Sequence, residues 1–117
     1  MGTQQRASVI DWSVLSRIVG ENDALRARLL QSFVTESGRD LSKLEAALDE
    51  QKFDAARMVA HQLSGAARMV GAISLADAAR ALEGDAPYRE PAQIAARRAA
   101  LRDELTRVHE RIHALER

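Results

Sequence analysis

Phe53-Asp54-Ala55-Ala56-Arg57-Met58-Val59-Ala60-His61-Gln62-Leu63-Ser64-Gly65-Ala66-Ala67-Arg68-Met69-Val70 carries its apolar residues at helical spacing. Phe53, Ala56, Val59, Ala60, Leu63, Ala67 and Val70 form one stripe at 3.6 residues per turn, the pattern of a helix with one face in a core. Gly71 follows as a helix stop. On this indexing His61 lies nearly opposite Leu63 and faces solvent, in a row with Asp54, Arg57, Met58, Ser64, Gly65 and Arg68. A glycine one turn after an exposed histidine is unusual, because in a helix interior it costs roughly 1 kcal/mol relative to alanine. In return it leaves bare backbone beside an imidazole, with arginines at both ends. That suits a histidine which another protein approaches closely.

The same periodicity extends to both sides. Asp11 caps a short helix from about Trp12 to Val19, which Gly20 ends. Asn22 caps a second, in which Leu25, Leu29, Phe33, Leu41, Leu44 and Leu48 recur as far as Asp49. Ser37-Gly38 interrupts that run as a candidate bend or break. Glu50-Gln51-Lys52 reads as a turn into the His61 helix. Beyond Gly71, Ser74-Leu75-Ala76-Asp77 has the spacing of a capping box, with Asp in place of Glu or Gln. It predicts a helix opening there and ending near Glu83, before Gly84 and Pro87. Pro91 is placed as the first residue of a last helix, whose seam is Ile94, Leu101, Leu105, Val108, Ile112 and Leu115. Short loops between four substantial helices predict an all-α fold, an antiparallel up-down four-helix bundle with a short additional N-terminal helix.

Composition agrees with this architecture. The chain has 117 residues, 46% hydrophobic and only 3% aromatic, a mix that favours helices packed through small side chains. Its 17 basic and 17 acidic residues balance, so no global field draws it to nucleic acid or an anionic membrane. It has no cysteine, which excludes disulfides and thiolate chemistry and is compatible with a cytoplasmic location. No run of 18 apolar residues exists to span a membrane. Residues 1–8 lack the apolar core of a signal peptide and read as a flexible lead-in, leaving 9–117 as one domain.

His61, Leu63, Gly65, Ala66, Ala67, Val70, Gly71, Ala72 and Leu75 together resemble the motif of histidine-containing phosphotransfer (Hpt) domains. Asp11-Trp12-Ser13-Val14-Leu15, the Leu-rich second helix and Leu82-Glu83 extend the resemblance over most of the chain, to the Hpt modules at the C-terminus of hybrid sensor kinases. The resemblance implies a phosphorelay intermediate. His61 would attack the phosphoryl group of a receiver-domain phospho-aspartate and hand it to an aspartate on a second receiver. The chain would need no cofactor of its own, with Mg²⁺ supplied by the receiver, and would act as a monomer. An exposed imidazole has a pKa of about 6.5, so near neutral pH much of it is neutral and nucleophilic. The phosphate-neighbouring or receiver-docking positions are Arg57, Met58, Gln62, Ser64, Gly65 and Arg68. One departure stands out: the family's lysine three residues after the histidine is Ser64 here. The lysine's role is then unfilled, or is taken by Arg57, one turn away, or by Arg68, two turns away.

Other readings fit less well. His109-Glu110-Arg111-Ile112-His113 matches the H-E-x-x-H zinc-protease pattern. A catalytic zinc needs a third protein ligand, however, and a bundle this small offers no substrate cleft. The pair flanks the Val108/Ile112 seam, where a solvated helix face is the ordinary reading. The phosphoacceptor region of a histidine kinase usually has an acidic residue after its histidine and a Thr-Pro beyond; here Gln62 follows and no Thr-Pro occurs. No Gly-rich nucleotide site is present, so the chain is read as a phosphocarrier and not as an ATP-using kinase. A non-catalytic helical interaction module is the remaining alternative.

Overall fold

The computed structural model describes residues 9–115. The sequence-predicted lead-in at residues 1–8 lies outside them. Five α-helices follow in order, α1 (Trp12–Val19), α2 (Asp23–Asp49), α3 (Phe53–Met69), α4 (Ile73–Arg80) and α5 (Pro91–Leu115), with a 3₁₀ turn at Ala86–Arg89 before the last. The two predicted caps at the N-terminal end form. The Asp11 carboxylate accepts from Ser13 N at 3.1 Å, and Asn22 Oδ1 accepts from Leu25 N at 2.9 Å.

The third predicted cap does not form. α4 starts one residue before Ser74, its N-cap is Ala72, and no side chain caps it. Gly71, at φ +82°, reverses the chain, and Ala72, Leu75 and Ala76 are fully buried, so packing fixes where this helix begins. α4 also ends at Arg80, leaving Leu82 and Glu83 on a turn.

The core is built from Leu15, Leu44, Leu63, Leu75, Leu82, Leu101, Val108 and Ile112, closed by alanines of α3 and α4 that let backbones approach. Of the α5 seam, Leu101, Leu105, Val108 and Ile112 are buried, Ile94 is half-buried and Leu115 is exposed. Arg98 reaches from α5 to Glu45 at 3.3 Å and Asp49 at 2.7 Å on α2, where Arg102 also pairs with Glu45.

Ser37-Gly38 does not break α2, which runs unbroken through both. Ser37 is buried. Its hydroxyl donates to the Phe33 carbonyl at 2.5 Å, so the same oxygen accepts from His109 Nε2–H at 3.0 Å. His109 therefore bridges α5 to α2 and is half-buried, not a solvated flank of the seam; His113 is exposed. Burial pushes the His109 imidazole below the ordinary histidine range, and the nearby His113 adds to this. The unfolded chain therefore takes up this proton at higher pH than the folded one. The contribution to stability is complete above the unfolded value of about 6.5 and is lost as pH falls through the lower folded value. Unfolding titrations are expected to show stability dropping on acidification from about pH 7 toward pH 5, a drop that His109→Gln flattens. An unchanged pH profile in that variant would refute the assignment.

Candidate functional site

α3 delivers its stripe to the core as the spacing requires: Ala56, Ala60, Leu63 and Ala67 are completely buried. The opposite face carries His61, whose side chain is 78% exposed. Its Nδ1 lies 2.9 Å from Glu83 Oε1. An ionised carboxylate only accepts, so Nδ1 carries the hydrogen, and in the neutral ring the lone pair is left on Nε2. Glu83 itself is three-quarters shielded, at 27% exposure. It approaches from the turn after α4, 22 residues along the chain. The sequence pattern marks Glu83 only as part of Leu82-Glu83; its place beside the histidine comes from the fold.

The other predicted positions divide. Met58, Gln62, Gly65 and Arg68 are exposed on the His61 side of α3, and a Cβ added at Gly65 would meet nothing within 4 Å. Met69, which the sequence pattern did not single out, belongs with them; with Met58 it leaves two thioethers about two-thirds exposed, at 60% and 65%. Ser64 does not belong with them. It is 4% exposed, because it falls in the row between Ala60 and Ala67, both of them fully buried. It neither lines the surface nor opens space beside His61.

Arg57 is near His61 in sequence but engaged elsewhere. Its guanidinium pairs with Asp54 and with Asp85 at 3.4 Å, and lies 5.2 Å over the Tyr88 ring. Arg68 is less committed, with its closest carboxylate, Asp77, at 3.9 Å. The surface is thus an exposed imidazole of fixed tautomer, flanked by bare helix backbone, two methionines and one loosely held cation. Such a site offers a nucleophilic nitrogen to a partner.

The Hpt domain family model matches residues 28–116. The chain belongs to the Hpt family. A crystal structure of histidine-containing phosphotransfer protein B (HptB) from Pseudomonas aeruginosa PAO1 matches this Hpt domain with a TM-score of 0.83 and 28% sequence identity, over 93% of this chain and 95% of that one. Comparison with curated proteins finds no match. The Hpt domain is a phosphotransfer intermediate of two-component phosphorelay, a phosphocarrier and not itself a kinase, and Hpt proteins exchange phosphoryl groups with receiver domains. Among the described residues, no helix is long and apolar enough to cross a membrane.

Proposed function

We propose that His61 Nε2 is the phosphoacceptor. The observation that carries this reading is the 2.9 Å contact from Nδ1 to Glu83, which keeps the Nε2 lone pair pointed at solvent. In the forward step that lone pair attacks phosphorus on a receiver's phospho-aspartate. The N–P bond forms, the P–O bond to aspartate breaks, and the carboxylate departs. Nδ1 keeps its proton throughout, and Glu83 offsets the positive charge that develops on the ring. Reversal onto a second receiver's aspartate completes the relay. Mg²⁺ held by the receiver would supply the charge neutralisation of the phosphoryl group, so this Hpt domain contributes position more than electrostatics. Arg68 supplies the cation that the family lysine would supply at Ser64. The contact between His61 and Glu83 is complete within one chain, so transfer needs no second copy, and we place this monomer in the cytoplasm with its receivers.

Met58, Gln62, Gly65 and Met69 form the docking surface around the histidine. Gly65→Ala is expected to keep or raise stability by up to about 1 kcal/mol, since nothing obstructs the added methyl and alanine is the better helix former. Gly65→Gln should instead slow transfer by crowding the receiver. Unfolding and transfer measured on the same proteins check both, and strong destabilisation by alanine would contradict the open position of Gly65.

The function itself is tested by incubating the chain with a phosphorylated receiver and, separately, with ATP alone. Acid-labile phosphate is expected only in the first. Binding of the receiver without transfer would favour a plain interaction module, and labelling by ATP alone would overturn the phosphocarrier reading.

A further inference from the structure

We propose that Tyr88 is a positioning residue of the transfer site, acting through Glu83 on the tautomer of His61. The inference rests on the reading of His61 as phosphoacceptor. Glu83 is not on a helix. α4 ends at Arg80, and the chain then turns with only short-range backbone bonds, Leu82 N to Ala79 O at 3.0 Å and Glu83 N to Arg80 O at 2.9 Å. A carboxylate on such a turn is aimed only as well as the turn is held.

Leu82 anchors it in the core, and two polar contacts hold it further, one on each side of Glu83. The Tyr88 hydroxyl donates to the Leu82 carbonyl at 2.6 Å, on the residue immediately before Glu83. Arg57 takes the Asp85 carboxylate at 3.4 Å, two residues after it. The two anchors brace each other, because the Arg57 guanidinium sits 5.2 Å over the Tyr88 ring. That ring also packs on Phe53, the first residue of α3, with centroids 5.1 Å apart. α3 therefore supplies both the histidine and the platform for the turn that orients it. Burial pushes the Tyr88 phenol above its ordinary range, so it keeps its proton and remains a donor near neutral pH. The 3₁₀ turn at Ala86–Arg89 places Tyr88 here, with Tyr88 N bonded to Asp85 O at 3.1 Å.

Tyr88→Phe keeps the ring and its stacking and removes only the hydroxyl. Transfer from a phosphorylated receiver is expected to slow by about 3- to 10-fold, and the unfolding midpoint to fall by about 4–8 °C, since one ordinary hydrogen bond is lost from the folded domain. Nitrogen-15 NMR of the His61 ring should show the Nδ1–H form dominant in the parent and a mixture of tautomers in Tyr88→Phe. In a Glu83→Ala background, adding Tyr88→Phe should slow transfer no further, which a merely structural tyrosine would do. An unchanged tautomer ratio in Tyr88→Phe, or full additivity with Glu83→Ala, overturns the proposal. The NMR measurement needs no receiver, so it decides the positioning claim even if His61 proves not to accept phosphate. That separate failure would show as retained label in a His61→Gln protein.

Discussion

His61→Gln is expected to fold like the parent and to accept no phosphoryl group. The side chain is 78% exposed and touches one partner, so its replacement should change stability by no more than about 0.5 kcal/mol. Its chemistry has no local substitute. His109 holds Nε2–H against Ser37 and is half-buried between α2 and α5. His113 is exposed, but it is on α5, away from the α3 face that carries Met58, Gly65 and Met69. Glutamine offers an amide with no nucleophilic lone pair at that position. Acid-labile label and mass mapping after incubation with a phosphorylated receiver check the expectation alongside thermal unfolding. Label persisting on His109 or His113 in a folded variant would sink the assignment of His61.

What could be read from the sequence was local. The side-chain caps at Asp11 and Asn22 and the start at Pro91 each depend on residues within a turn of one another, and each forms where the pattern puts it. The exposure of His61 follows from periodicity alone. What escaped depended on contacts between distant segments. Ser74 has the spacing of a cap, yet burial of Ala72 starts α4 earlier. Ser64 is the edge case of the α3 stripe. Its polarity groups it with His61, but it shares a row with the buried Ala60 and Ala67, and tertiary packing decides the matter. Ser37, which has the look of a helix interruption, satisfies its hydroxyl within α2 and through a histidine 72 positions away. Glu83 is invisible to periodicity because it lies on a turn, and only the fold shows that its carboxylate meets an imidazole on α3. Arg57 carries the best helical offset for a phosphate contact, and the turn after α4 takes it for another purpose.

Gly71→Ala is expected to cost the domain roughly 2 kcal/mol or more, the largest stability loss from adding a single methyl group at any of the described glycines. Two penalties coincide there. The backbone at Gly71 has φ +82°, a left-handed conformation that a Cβ disfavours. An added Cβ would also run into the Asp11 carbonyl oxygen, and it would lie 3.1 Å from the carbonyl carbon and 3.2 Å from the Asp11 nitrogen. These are backbone atoms and cannot swing away. The same Asp11 nitrogen donates to the Gly71 carbonyl at 2.7 Å, so the close approach is what fastens the start of α1 to the end of α3. Relaxation would have to move Ile10 on one side or Val70 and Ala72 on the other, all of them in the core. At about 4–8 °C per kcal/mol for a domain near this size, the midpoint should fall by roughly 10 °C. Gly65→Ala is the internal control, a glycine in open space on α3 whose substitution should not lower the midpoint. Because His61 is ten residues away and held by Glu83 and not by α1, Gly71→Ala should still accept phosphate at temperatures where it is folded. A midpoint within a degree or two of the parent would mean that the contact between Asp11 and Gly71 yields more readily than its geometry implies.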